Sequence, residues 1–288
     1  MVKIRRGEKM LLRDFISSKK GLLIDIEGTL ISEIEYEKAF PDTYLFLEIL
    51  KQKNFLLLTN LARKSRKYVS RKLSSMKINV PHTKIINPTI VAAIILEEKY
   101  EKPVKVFLIG ENGHLEDLLE FAWIELTDHE KVNAVLLGAS RNITYQQLNF
   151  AFRQILRGAD LIVLGGETWS LGKIYDDEGE FLMEGAFAAA LEAATGIKAI
   201  RAGKPSEIFF EVGLKKLGLD KHEVVMIGDS LQTDVTGALS YGIDVIYVNR
   251  KSRSDEEIIK KLANVKKKST LYIVNSLNPS EVLKALDF

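Results

Sequence analysis

Cysteine is absent from all 288 residues of the chain. Disulfide bonds and thiolate metal sites are therefore excluded. Long apolar runs are missing as well: no uninterrupted stretch could span a bilayer, and no signal-peptide core follows the basic first residues. From these absences we expect a cytoplasmic protein that does not act in a membrane.

Neither sign of charge is in clear excess, because 41 lysines and arginines face 39 aspartates and glutamates. This balance gives no electrostatic reason to expect a nucleic-acid partner. The Gly-x-Ser-x-Gly elbow of serine hydrolases and the Walker loop that ends in Lys-Ser or Lys-Thr are also missing. The histidines show no metal-ligand spacing, and we expect surface or packing roles for His82, His114, His129 and His222.

Short β-branched runs alternate with amphipathic stretches over most of the chain, which is typical of an α/β protein with a parallel sheet. The predicted strands are 22–26, 55–59, 104–109, 134–137, 161–164, 224–227, 245–248 and 271–274. The predicted helices are one that begins after Pro41, 63–76, 144–156, 184–195 with Gly196 as its C-terminal cap, and one that opens at Pro205.

Two domains are expected from the distribution of chemically active side chains. Candidate catalytic residues occur only in the two flanks of the chain, and turns at Asn87-Pro88 and at residues 202–205 interrupt the pattern. We predict a discontinuous core formed by residues 1–87 and 199–288. Residues 88–198 would form an inserted α/β domain.

The first candidate site lies where an apolar strand ends in Asp25, Ile26 and Glu27, followed by Gly28. Carboxylates at the carboxyl end of a buried parallel strand lie where α/β proteins place their chemistry. A glycine that turns the chain would let both carboxylates reach one pocket. The pair suggests a metal-assisted reaction on a phosphate, although a solvated turn is a common alternative.

Two other segments offer groups that could bind an anion. Thr59 and Asn60 follow a second apolar strand, where they could cap a helix or, with its N–H groups, cradle an anion. Lys204 lies in a turn before a predicted helix. Most lysines in such turns are surface residues. However, an ammonium beside the positive N-terminal end of a helix dipole is unfavourable unless an anion lies between them.

The strongest single pattern is a buried strand that ends in Gly228-Asp229, with Asp234 in the following helical turn. Mg²⁺ prefers carboxylate and water oxygens. Asp229 could meet Asp25 across neighbouring strand ends to form a magnesium site, and Asp234 could hold the metal ligands in place. A helix cap followed by a polar helix face is the structural alternative.

Taken together and in this order, the four segments resemble the motifs of the haloacid dehalogenase-like hydrolases. The chain is most similar to the branch that contains NagD-like, para-nitrophenylphosphatase and phosphoglycolate phosphatase proteins, with a C2-type cap. That branch shows Thr-Asn at the second motif, Gly-Lys-Pro-Ser at the third, and Gly-Asp followed by Thr-Asp at the fourth. The corresponding residues are Thr59-Asn60, 203–206 and 228–234.

The resemblance implies a Rossmann-like core with a large inserted α/β cap. It also implies roles: Asp25 as nucleophile, Glu27 as acid and base, and Thr59, Asn60 and Lys204 as groups that hold the phosphoryl oxygens. Mg²⁺ would be bound by the carboxylates of Asp25 and Asp229 and by the backbone carbonyl of Glu27, with Asp234 in support. The substrate would be a small phosphorylated metabolite, and caps of this branch allow a homodimer.

The chain also departs from the branch. Glu27 stands where the family has Asp, and a misplacement of about 1 Å can cost on the order of a hundredfold in rate. Residues 165–168, 181–184 and 249–251 also differ from the usual cap and strand-end motifs. Three hypotheses follow: a Mg²⁺-dependent phosphatase, a phosphate- or metabolite-binding protein weakened in catalysis at position 27, and, less favoured, a phosphotransferase.

Overall fold

The structure is a computed structural model that describes residues 10–61, 63–174, 177–265 and 269–286. It contains two compact units. Unit 1 consists of the described residues of Met1–Thr59, Val69–Ile86 and Lys204–Phe288, and unit 2 of those of Asn60–Tyr68 and Asn87–Gly203. This division assigns the described residues of 60–68, Asn87 and residues 199–203 to unit 2, whereas the predicted core included them.

Unit 1 is built on a seven-stranded sheet with the order β14-β13-β12-β11-β1-β2-β3. All neighbouring pairs are parallel except the terminal pair β13 and β14. Its strands are β1 (Gly21–Asp25), β2 (Asn54–Leu58), β3 (Ile85–Ile86), β11 (Val224–Gly228), β12 (Asp244–Val248), β13 (Leu271–Val274) and β14 (Lys284–Leu286). Every residue of β1 and β11 is buried, which is expected of parallel strands covered on both faces.

The helices of unit 1 are α1 (Leu12–Ser18), α2 (Pro41–Leu50), α8 (Glu207–Leu217), α9 (Thr236–Tyr241) and α10 (Asp255–Lys261), and α3 (Arg66–Ser75) begins in unit 2 and continues here. Proline at the first position of a helix needs no backbone N–H, so α2 begins at Pro41 itself, whereas the predicted helix began after it. The predicted start of α8 at Pro205 is wrong. Ser206 is the N-cap residue and the helix begins at Glu207, so Pro205 lies before it.

Unit 2 contains a second parallel sheet with the order β10-β7-β6-β4-β5, and a separate hairpin of β8 and β9. The strands are β4 (Val104–Ile109), β5 (Ile124–Leu126), β6 (Ala134–Leu137), β7 (Asp160–Val163), β8 (Trp169–Ile174), β9 (Asp177–Leu182) and β10 (Ile200–Arg201). Its core lies between β4, β6 and β7 and the apolar faces of two helices.

The helices that lie wholly in unit 2 are α4 (Pro88–Lys99), α5 (Asn112–Leu118), α6 (Tyr145–Leu156) and α7 (Glu184–Thr195). A capping box of Thr144 and Gln147 begins α6, and Gly196 ends α7 in the left-handed region, as predicted. The turn predicted at Asn87-Pro88 is instead the start of α4, where the Asn87 side chain accepts a hydrogen bond from the Ile90 N–H.

The predicted α/β class with a parallel-sheet core is confirmed, and all eight predicted strands are present. Six further strands were not predicted: β3, β5, β8, β9, β10 and β14. In the part of the chain that the structure describes, no helix combines the length and apolar character needed to cross a membrane.

Candidate active site

Polar residues lie at or just after the carboxyl ends of three neighbouring strands of the unit 1 sheet. Asp25 is the last residue of β1, Thr59 follows β2, and Asp229 follows β11, which pairs with β1. From β1 the chain continues to β2 on one side, and from β11 to β12 on the other. This reversal is the switch point at which open α/β sheets bind ligands outside the carboxyl ends of their strands.

Three carboxylates meet at this point. One oxygen each from Asp25, Asp229 and Asp234 lies within 4.8 Å of the others. The Thr29 hydroxyl oxygen is 3.1 Å from Asp25 Oδ2 and 3.4 Å from Asp229 Oδ1, so it joins two of the three. Asp234 lies in a π-helical turn at Leu231–Val235, where its Oδ2 accepts the Ser230 N–H at 3.1 Å. We call these three side chains the acidic cluster.

Lys204 supplies a buried ammonium to the acidic cluster. Its Nζ donates to Asp25 Oδ1 at 2.6 Å and to Asp234 Oδ1 at 2.7 Å. Burial by itself lowers the pKa of Lys204, but the charges of Asp234 and Asp25 outweigh it, so the pKa lies above its ordinary value and the group stays charged. The anion that the sequence required beside this lysine is therefore a pair of carboxylates.

The negative charges of the cluster are crowded. Burial, followed by repulsion from Asp234, raises the pKa of Asp25 to about 8, although Lys204 opposes the shift. The same two causes raise the pKa of Asp229. A cation placed among these oxygens would favour the ionised forms.

The backbone around the cluster depends on two glycines. Gly28 has φ of +80°, and a Cβ there would lie 2.4 Å from Asp229 Oδ2. A Cβ on Gly228 would lie 2.3 Å from Asp234 Oδ2. Side chains at either position would displace a carboxylate, so glycine is needed for these close approaches.

Among the described residues, the Glu27 carboxylate makes no hydrogen bond to the acidic cluster. Its Oε1 accepts the Ile34 N–H at 2.8 Å, in the loop that follows the Gly28 turn. Burial raises the pKa of Glu27, and the Ile34 hydrogen bond opposes that shift. The structure thus separates the two acids of the first motif: Asp25 enters the cluster and the Glu27 carboxylate binds backbone.

Thr59 is buried, and its N–H donates to the Ile86 carbonyl at 3.0 Å. Helix α3 begins only at Arg66, so the helix-cap alternative for Thr59 and Asn60 is wrong, as is the expectation that helix N–H groups complete an anion cradle there. Asn60 belongs to unit 2, where its Oδ1 is 3.1 Å from the position of a Cβ on Gly203.

Sequence reasoning did not assign a role to Thr29 or Arg250, although both contribute to this arrangement. The Arg250 guanidinium donates to the Thr29 carbonyl at 2.7 Å. Thr29 could have been found from its place in the first motif. Arg250 gave a weaker signal, because it only marked a departure from the usual residues after the strand.

Comparison with known proteins identifies family matches on both flanks of the chain. A family model described as haloacid dehalogenase-like hydrolase matches residues 22–123, and a second, HAD-hydrolase-like, matches residues 201–279. Haloacid dehalogenase-like hydrolase domain-containing protein 2 of Pongo abelii is 34% identical over 245 residues, which cover 83% of this chain and 88% of that protein.

Two further relatives carry names that describe an activity. Acid sugar phosphatase of Staphylococcus haemolyticus is 29% identical over 245 residues, covering 84% of this chain and 89% of that protein. Among solved structures, p-nitrophenyl phosphatase from Archaeoglobus fulgidus is similar with a TM-score of 0.77 and 27% identity, covering 91% of this chain and 98% of that one.

Proposed function

Because the chain belongs to the haloacid dehalogenase-like hydrolases, we propose that it is a Mg²⁺-dependent phosphatase that hydrolyses a small phosphate monoester through an aspartyl-phosphate on Asp25. The observation that carries the proposal is the crowding of three carboxylates at the switch point of the unit 1 sheet, where Lys204 pairs with two of them. The names of the acid sugar phosphatase and p-nitrophenyl phosphatase relatives support the substrate class.

The donor set of the acidic cluster fits a magnesium ion. All the donors are oxygens, which are the ligand atoms that Mg²⁺ prefers in proteins. The cluster oxygens lie within 4.8 Å of one another. In our proposal Asp25, Asp229 and the Glu27 carbonyl hold the ion, and Asp234 keeps its bonds to Lys204 and Ser230. A bound ion would offset the repulsion between phosphate and carboxylate.

The proposed reaction has two steps, and the carboxyl groups of Asp25 and Glu27 take part in both. An Asp25 oxygen bonds to phosphorus as the bond from phosphorus to the leaving oxygen breaks, and Glu27 gives that oxygen its proton. The Glu27 carboxylate then takes a proton from water, whose oxygen attacks phosphorus and releases Asp25 and inorganic phosphate. Lys204, Thr59 and Asn60 hold the phosphoryl oxygens and offset the negative charge that repels the nucleophile.

Glu27 is the reason for a second candidate function. Its Oε1 accepts the Ile34 N–H, so while that bond is kept the proposed proton transfer falls to Oε2. A chain in which this longer acid transfers protons slowly would bind a phosphorylated metabolite and turn it over poorly. That alternative differs from the leading proposal in rate and not in where the phosphate binds.

A panel of phosphorylated metabolites and p-nitrophenyl phosphate, assayed with Mg²⁺ and with EDTA, separates the candidates. We expect inorganic phosphate to be released in the presence of Mg²⁺ and release to stop in EDTA. Saturable binding by calorimetry without turnover would instead support the binding protein. A phosphorylated product that forms only with an added acceptor would support a phosphotransferase.

A further inference from the structure

Arg250 lies two residues after β12, which is two strands away from β1 in the unit 1 sheet. Its Nη2 donates to the Thr29 carbonyl at 2.7 Å and to Asp42 Oδ2 at 3.0 Å. Because β11 lies between β12 and β1, the bond to Thr29 joins the loops after two strands that are not neighbours in the sheet.

The guanidinium itself is firmly held. It stacks on the Phe40 ring, with Cζ 3.8 Å from the ring centroid, and it pairs with a carboxylate of which only 13% is exposed. That carboxylate, Asp42, also accepts the N–H of Leu277, so it is fixed from a second direction. A planar guanidinium with a stacking surface and a buried partner loses little further freedom when it binds a carbonyl.

Thr29 connects Arg250 to the acidic cluster. Its carbonyl accepts the guanidinium, while its hydroxyl lies within hydrogen-bond distance of Asp25 and Asp229. The next carbonyl, that of Leu30, accepts the Thr43 hydroxyl at 2.6 Å. Two consecutive carbonyls of the loop after β1 are therefore held by side chains from elsewhere in unit 1.

We infer that Arg250 is a positioning residue that fixes Thr29 and thereby sets the separation of Asp25 and Asp229. The inference rests on the proposed function, because that separation matters through the magnesium ion the two carboxylates would share. Groups that orient metal ligands typically change metal affinity or activity by about 10- to 100-fold when removed. No contact between Arg250 and the substrate is part of the inference.

The test compares Arg250→Met, which keeps the length and removes the donors, with Arg250→Lys and with Arg253→Met. Arg253 is a matched control, since its guanidinium donates to the Tyr247 hydroxyl and not to Thr29. Mg²⁺ affinity is measured by calorimetry, and kcat and KM with p-nitrophenyl phosphate. For Arg250→Met we expect Mg²⁺ affinity and kcat each to fall about tenfold or more with KM within about twofold. Arg250→Lys should fall between this variant and the unchanged Arg253→Met.

Mg²⁺ affinity and kcat of Arg250→Met within twofold of the wild type would overturn the inference, as would a loss confined to KM. If Arg250→Met does not fold, Asp42→Asn tests the same contact by removing the carboxylate that aims the guanidinium, with the same thresholds. A wild type that binds Mg²⁺ without turnover contradicts the proposed function only, because calorimetry still tests Arg250. A wild type that does not bind Mg²⁺ overturns both.

Discussion

Each unit contains a buried aspartate beside a cationic side chain, but the electrostatic environments of the two aspartates differ. In unit 1, Lys204 pairs with two of the three clustered carboxylates, those of Asp25 and Asp234, and burial and repulsion from Asp234 raise the pKa of Asp25 to about 8. In unit 2, Asp117 accepts the N–H and Nε of Arg66, at 3.1 and 3.4 Å, and Nδ2 of Asn87 at 2.6 Å, and Glu120 also pairs with the Arg66 guanidinium. Burial raises the pKa of Asp117, and these donors oppose the shift.

This difference separates a structural charge cluster from a candidate site. Asp117 is surrounded by hydrogen-bond donors, as expected of a buried charge whose oxygens are satisfied within the fold. The acidic cluster has more carboxylates than cationic partners, so it is costly in the folded chain and gains from an added cation. Strong burial of an acid is common to both places, so burial alone would not have distinguished them.

The largest expected effect is the loss of activity in Asp25→Asn. Without a carboxylate nucleophile, we expect hydrolysis of p-nitrophenyl phosphate to fall at least about a thousandfold, or about 4 kcal/mol in the barrier. The free energy of unfolding without Mg²⁺ should not decrease, because one of three crowded charges is removed. Asp14→Asn, at an exposed position of unit 1, is the control. Activity near the wild-type level would refute the proposed nucleophile.

The corresponding substitution in unit 2, Asp117→Asn, should lower the free energy of unfolding and leave activity nearly unchanged. An amide can accept through one oxygen only, and it leaves the charge of the buried Arg66 less compensated, so we expect the free energy of unfolding to fall by about 3 kcal/mol. Urea denaturation measures the change, with the exposed Asp128→Asn as control. Activity per folded molecule should stay within about twofold. Equal destabilisation by Asp25→Asn and Asp117→Asn would remove the contrast between the two clusters.

Acid should weaken the folded state through His114 of unit 2, whose Nδ1 lies 2.9 Å from Thr89 Oγ1. Burial is the main cause that lowers the pKa of His114 to about 4. The ordinary pKa of histidine is about 6.5, so below that pH the unfolded chain binds a proton at His114 that the folded chain does not bind. The free energy of unfolding therefore falls by up to about 3 kcal/mol as the pH drops towards 4.

Urea denaturation between pH 7 and pH 4.5 measures this dependence. We expect a flatter stability curve for His114→Leu than for the wild type. The exposed His129→Leu should follow the wild type. Parallel curves for wild type and His114→Leu would exclude His114 as a source of acid sensitivity.

The smallest expected effect is that of a substitution at Glu27, the acid of the first motif whose carboxylate lies outside the acidic cluster. Glu27→Asp restores the family's usual length, and because the backbone carbonyl is unchanged we expect Mg²⁺ affinity to stay the same. Turnover should equal the wild type or exceed it by up to about tenfold, since the change is about one C–C bond in reach. Glu33→Asp, an exposed neighbour, is the control. A large loss of kcat would show that the site is built around the longer acid.

Local pattern was sufficient for many of the longer elements of the fold, but not for the 12-residue helix α4, whose start was predicted as a turn. Strands such as β1 and β11 are continuous apolar runs bounded by polar residues, and α6 and α7 carry their own caps. The missed strands are short, as in the two residues of β3, or lie in the polar β8–β9 hairpin. Such segments are held by pairing with neighbours and have little periodicity of their own.

The sequence by itself determined the α/β class and the residue types of the candidate site, because acids, threonine and lysine at strand ends are visible in local order. Only the tertiary structure decided which of them meet. Thr29 and Asp229 are 200 positions apart, and they become neighbours because β1 pairs with β11. The hydrogen bond of Glu27 to Ile34 and that of Arg250 to Thr29 depend on loop paths and side-chain directions. Packing fixes these, and no local pattern in the chain encodes them.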